Sequence, residues 1–183
     1  MSKTCGRPMF IFLLFLFILC YAPTAWTRDS GLSVGEVLEY QVFAKGLPIG
    51  EQTLRTVREA TYLNRPVLEV RMTMKSYAAY AFLFSYEEDT ILYLDAQQLT
   101  PVYIKKTVKE NDQTWQEEYH FSAETVEKQV IVPGKEPRIS SYDTSPPLLE
   151  GLSLIYFLRA RPWRQGQNKF YYFTNQGPQP VTF

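Results

Sequence analysis

The sequence predicts a mainly β fold, an antiparallel meander sheet curled into a half-barrel or open barrel, with one C-terminal helix packed on it. Three observations lead there. Between Gly35 and Val132, apolar and polar residues alternate with a period of two, as half-buried strands require. The segments between these runs are short, whereas parallel strands need a crossover of about a dozen residues or more. Only between Asp143 and Arg161 does the apolar spacing become helical.

The first strand starts after Gly35, with Leu38, Tyr40 and Val42 on one face and Glu39 and Gln41 on the other. Gly46-Leu47-Pro48-Ile49-Gly50 reads as the turn, and a second strand follows to about Arg58. After Asn64-Arg65-Pro66 comes the clearest pattern, Leu68, Val70, Met72 and Met74 against Glu69, Arg71, Thr73 and Lys75. Further strands are expected at about 86–95, 101–109, 113–121 and 125–132, with Glu110-Asn111-Asp112 and Pro133-Gly134-Lys135 as turns. Each strand keeps one apolar face, so the sheet must close, curl around a filling element or stack on a second sheet. The filler is the helix. Ser145 can cap it with Pro146 at its first position, or it can begin at Gly151, which weakens a first turn by up to about 1 kcal/mol. Leu148, Leu152, Ile155, Tyr156 and Arg159 recur at helical spacing, Arg161-Pro162 ends the run, and a last strand is expected around 170–174 after a turn at Gln165-Gly166-Gln167.

The chain carries an export address. Lys3 and Arg7 precede an apolar run from Met9 to Cys20, and small residues follow at Ala22, Thr24 and Ala25. That run of about a dozen residues is shorter than the roughly twenty a membrane-spanning helix needs. Residues 1–25 are therefore expected to be a signal peptide removed near Ala25, leaving 26–183 as a single domain in the periplasm or cell envelope. A lipid anchor at Cys20 would want a small residue where Leu19 stands, and membrane association is expected only if the leader is retained or lipidated. Removing Lys3 and Arg7 from the 19 basic residues leaves 17 against 19 acidic ones, a balance that excludes a nucleic-acid partner. Cys5 and Cys20 leave too, so a hydrophobic core rather than disulfides must hold the domain together.

The order Gly35-Glu36-x-Leu38-x-Tyr40, Gly50, Tyr86 with Glu88-Asp89 and Asp95, Leu99-Thr100-Pro101, then Leu152-Ser153-x-x-Tyr156-Phe157-Leu158-Arg159 and Gly166 resembles the exported bacterial proteins grouped as domain of unknown function family 3108. Order and spacing together carry the likeness, over nearly the whole mature chain. The resemblance implies an envelope location and a mostly antiparallel β fold, and it supplies no catalytic residues. It also implies strands beyond the one after Gly166, so this chain is expected to lack the family's last strands.

Reactive side chains are scarce. His120 is the only histidine, and alternation places it with Gln116 and Glu118, opposite Trp115, Glu117, Tyr119 and Phe121. With no cysteine in the mature chain, thiol proteases, ordinary zinc sites and Ser-His-Asp triads are nearly excluded, and neither metal nor cofactor is expected. In Glu87-Glu88-Asp89, Glu88 parts from its neighbours because adjacent strand residues face opposite ways, and the run reads as a charged strand entrance. Asp95 reads as a turn-closing acid. The cluster Arg159, Arg161 and Arg164 around Trp163 suits a helix C-terminus as well as lipid phosphates. In the aromatic stretch 77–86, Tyr77, Tyr80, Phe82 and Phe84, with Met72 and Met74 nearby, fit either a lid that seals the core or a flap that contacts a hydrophobic ligand.

The expected function is a non-enzymatic envelope protein that binds a hydrophobic small molecule, a lipid or a lipidated partner in a curled sheet, with Tyr77, Tyr80, Phe82, Phe84, Met72 and Met74 as ligand-binding residues. Two alternatives stand beside it. One is an assembly or scaffold component that pairs with an envelope protein through its C-terminal sheet edge; the other is a glycan hydrolase using carboxylates such as Glu88 and Asp95.

Overall fold

The computed structural model describes residues 32–145, 147–160, 169–174 and 177–182. The expected leader, Pro146, the basic residues Arg161 and Arg164 with Trp163, and the turn at 165–167 lie outside the described residues. Eight strands, β1 (Val37–Ala44), β2 (Leu47–Tyr62), β3 (Arg65–Ser76), β4 (Tyr86–Asp95), β5 (Pro101–Glu110), β6 (Gln113–Phe121), β7 (Thr125–Ile131) and β8 (Arg138–Asp143), pair antiparallel in chain order. Among the described residues β1 and β8 do not pair with each other, so the sheet curls without closing.

Local chemistry explains where the strands turn. Lys45 and Gly46 both have positive φ, as do Leu63 and Asn64, and such pairs make the tight hairpin turns whose twist matches that of the flanking strands. The first turn is thus Lys45-Gly46 rather than the expected 46–50. Leu47 through Gly50 already belong to β2, where Ile49 is an extra residue between the pairs Val42↔Gly50 and Phe43↔Pro48. A second bulge at Val57, between Thr56↔Val70 and Arg58↔Glu69, reverses the phase of β2, which continues to Tyr62.

The chain then crosses the concave face. Leu148–Leu149 form β9, followed by helix α1 (Gly151–Ala160), β10 (Lys169–Thr174) and β11 (Gly177–Thr182). The three strands make a small sheet in the order β11-β10-β9, with β9 parallel to β10. The helix starts at Gly151, the second of the two expected starts. Glu150 caps it, its carboxylate accepting from Ser153 N–H at 2.7 Å while Ser153 Oγ accepts from Glu150 N–H at 2.8 Å. At the other end, the Arg159 guanidinium grips both carboxylate oxygens of Glu36, tying the helix to the segment before β1.

The main core joins Leu54, Leu68, Val70, Met72, Leu92, Leu94 and Ile104 of the large sheet to Leu148, Leu152 and Tyr156. Leu149, Phe157 and Phe170 form a smaller cluster behind the helix. On the convex face Glu69 departs from the wet surface expected of it, being 2% exposed. Arg58 and Arg71 reach over it from adjacent positions, their Nε atoms 2.8 and 3.1 Å from its two oxygens. Burial works to raise the Glu69 pKa, but the two guanidinium hydrogen bonds outweigh it and hold the carboxyl below its usual 4.5. Stability from this triad is complete above that value and is lost as pH falls through the lower folded-state pKa. Urea unfolding between pH 7 and pH 3 should therefore show a shallower acid loss for Glu69→Gln than for the parent; equal slopes would contradict this account.

Candidate functional site

Alternation along β4 to β7 turns a second set of polar residues inward. Thr90, Lys106 and Glu117 lie side by side in register across three strands, and Ile104, Tyr119 and Lys128 form the next row. Glu88, on the same face, accepts hydrogen bonds from the Tyr86 hydroxyl and from Thr90 Oγ1 (2.7 Å), with Lys106 Nζ at 4.0 Å. Glu117 accepts from the Tyr119 hydroxyl and from Trp115 Nε1 (3.3 Å), with Lys128 Nζ at 3.4 Å. Both ammonium groups also lie over the Tyr119 ring, 5.9 and 5.2 Å from its centroid. Burial would raise the Glu117 pKa, yet the Tyr119 hydrogen bond and the two lysines prevail and hold it down. Burial and the neighbouring carboxylate push the Tyr119 phenol far up, so its proton stays.

This polar group adjoins a cavity of about 560 Å³ between the sheet and the C-terminal elements, a volume in the range of small-molecule sites. Met72, Ile104, Lys106, Tyr119 and Phe121 form its floor, joined by Gln52 from β2. Gly151, Leu152 and Ile155 of α1 form one wall, and Tyr172, Phe173 and Thr174 of β10 form another. Phe173 meets Tyr119 edge-on at 5.9 Å and Phe121 at 6.2 Å, closing one side with aromatic surface. Glu150 also lines this cavity; burial raises its pKa, against the pull of Lys106 and of the backbone donors at the helix start. A larger groove of about 620 Å³ runs over the turn end of the sheet but is lined by exposed residues such as Asp112, Lys135 and Arg138.

Of the residues singled out from the sequence, Met72 reaches the cavity wall and Met74 packs half-buried against the same core. Tyr77, Tyr80, Phe82 and Phe84 gather instead at the β3–β4 connection and do not line the cavity. Ala78–Tyr80 form one 3₁₀ turn, Phe84 stacks on Tyr86 at 5.9 Å, and Phe82 stands 80% exposed. Glu88 and Asp95 are not brought together. They stand seven positions apart along one strand, roughly 23 Å, beyond the reach of a glycosidase carboxylate pair. Asp95 closes a turn as expected, its Oδ1 accepting from Gln97 and Gln98 N–H at 2.9 and 2.8 Å. His120 lies exposed on the convex face, 5.0 Å from the Tyr103 ring. Among the described residues no three His, Cys, Asp or Glu side chains are grouped to hold a metal ion, and no helix is long and apolar enough to cross a membrane.

Two charged residues of the cavity lining escaped the sequence reading, Lys106 and Glu150. Lys106 had a usable signal, since it stands in phase with Ile104 and Val108 on an apolar face; Glu150 had none, as an acid before a helix usually sits in solvent. In comparison with known proteins, residues 39–182 match the family described as Protein of unknown function (DUF3108). No curated protein and no solved structure matches the chain. Because that match spans most of the sequence, including all but the first two residues of the large sheet and the elements that roof the cavity, the chain belongs to the DUF3108 family.

Proposed function

We propose that this protein is an exported, non-enzymatic binding protein of the bacterial cell envelope, whose concave cavity holds an amphipathic molecule such as a lipid or the acyl group of a lipidated partner. The cavity carries the reading. It offers Met72, Ile104, Phe121, Ile155 and Phe173 to an apolar chain and a polar corner at Lys106, Tyr119 and Glu150 to a head group. Glu88 and Glu117 already partner Lys106 and Lys128, and Glu150, whose pKa burial raises, already accepts from Ser153 N–H. The corner therefore suits an uncharged, hydrogen-bonding head better than a carboxylate or an ammonium, whose desolvation would go unmatched. The leader-like residues 1–25 support export.

Native mass spectrometry of the purified protein, with lipid extraction, tests this directly. A bound amphiphile is expected, and delipidated protein should be stabilised more by monoacylglycerol than by fatty acid. Ile155→Trp, which fills the cavity with an indole, should weaken that binding at least tenfold while the chain still folds. Protein that co-purifies with no small molecule and shows no thermal shift with fatty acid, monoacylglycerol or phospholipid would refute the reading.

A second reading, an assembly or scaffold component pairing through the C-terminal edge of the large sheet, draws support from β8. Its outer side has no strand partner among the described residues, and Ile139 there is exposed. Failure to capture any envelope protein on immobilised chain would remove it.

A further inference from the structure

The other edge of the large sheet is built for a different partner. Among the described residues strand β1 pairs with β2 alone, and six of its eight residues are exposed. Three of them are large and apolar, Val37 and Tyr40 at 41% and Phe43 at 58%. Edge strands are ordinarily protected by lysines, prolines or bulges that spoil pairing. Here both irregularities of the β1–β2 and β2–β3 ladders fall on β2, at Ile49 and Val57, so β1 keeps an unbroken ladder edge from Val37 to Phe43.

Thr56 N–H donates to the Glu36 carbonyl at 3.0 Å. Antiparallel pairs alternate in hydrogen bonding, so residues 36, 38, 40 and 42 direct their backbone groups at β2. Residues 37, 39, 41 and 43 direct theirs at the open edge. A second antiparallel strand must therefore bond through those odd positions. When β1 is laid against itself about Tyr40, odd meets odd as required: Val37 faces Phe43, Leu38 faces Val42, Glu39 faces Gln41, and Tyr40 faces Tyr40. Between Val37 and Phe43 every apolar residue meets an apolar one and the only charge meets an amide; at the margin Ala44 meets Glu36, whose carboxylate Arg159 already holds. Centring one residue earlier sets Glu39 against Glu39, centring one residue later shifts Val37 onto Lys45, and an axis between residues turns the wrong backbone groups together.

Strand β8 lacks this property. Folded about Ser141 it sets Ile139 against Asp143 and Ser140 against Tyr142, and the Gly177 backbone already lies beside Tyr142.

We propose that two copies of this chain associate edge to edge through β1, with a two-fold axis at Tyr40, joining their large sheets into one continuous sheet. The interface is isologous and closes on itself, which makes a dimer rather than a filament. It is independent of the cavity, so its failure would leave the ligand reading intact.

Sedimentation velocity of the purified protein over a range of concentrations tests it, and position 41 tests the register. Gln41→Lys sets an ammonium opposite Glu39 on both sides of the axis and should tighten the dimer roughly two- to tenfold, whereas Gln41→Glu sets like charges together and should loosen it by a similar factor. Gln41→Pro removes an N–H from the open edge only, and should give a monomer with nearly unchanged thermal stability. A parent that stays monomeric at every concentration, or a dimer that responds alike to lysine and glutamate at position 41, would overturn the proposal.

Discussion

Tyr156→Ala is expected to lower the unfolding free energy by about 3–5 kcal/mol, the range for removing a large aromatic from a closed core. Tyr156 is wholly buried between the helix and the sheet, in one cluster with Leu54, Leu92 and Ile104. It is also the point where α1 meets β2 through a polar contact, Thr56 Oγ1 donating to its hydroxyl at 3.4 Å. That bond is long, so most of the loss comes from the ring. Tyr156→Phe, which keeps the ring, should cost no more than about 1 kcal/mol. Denaturant melts of the two variants give the comparison directly. An alanine variant that loses less than the phenylalanine one, or loses almost nothing, would mean that the helix is not held to the sheet in the way described.

Gly50→Ala is the second large effect, and it comes from adding atoms instead of removing them. A Cβ at Gly50 would stand 2.5 Å from the Lys75 carbonyl oxygen and 3.1 Å from Ser76 Cα, both backbone atoms of the neighbouring strand. No side chain can swing aside to make room, so β2 and β3 must separate locally, at a cost of about 1–3 kcal/mol. The reason is space alone, since Gly50 is not among the residues with positive φ. Gly151 supplies the control: a Cβ there meets only the Tyr172 hydroxyl, at an ordinary 3.5 Å, so Gly151→Ala should be neutral or slightly stabilising. Parallel thermal melts decide it; if both alanines behaved alike, the close approach of β2 to β3 at this point would be wrong.

Most of the large sheet was legible because its strands alternate cleanly and its hairpins are short. The failures have local causes. The bulge at Val57 inverts the alternation, which hid the far half of β2. Pro48 suggested a turn, although it sits beside the extra residue Ile49 in a strand. β8 reads Arg-Ile-Ser-Ser-Tyr-Asp and has no apolar period to detect, and β9 is two residues long, visible only through its pairing with β10. The candidate site was half legible. Glu117 could be placed on the inner face from the phase of Trp115, Tyr119 and Phe121, but alternation says which way a residue points and not what lies opposite. The cavity is made by long-range return of α1 and β10 over the sheet, and no local pattern encodes that.

That return has a consequence for how the molecule is put together. In the large sheet each strand bonds to the one just before it in the chain, so every step of its growth closes only a small loop and can proceed as a relay of hairpins. The roof obeys the opposite logic, because Tyr156 must find Thr56, 100 positions earlier in the chain. A ribosome delivering this polypeptide from its amino end therefore releases a trough well before it releases the cover, and the enclosed chamber exists only once the stretch from Leu148 to Thr174 has come home.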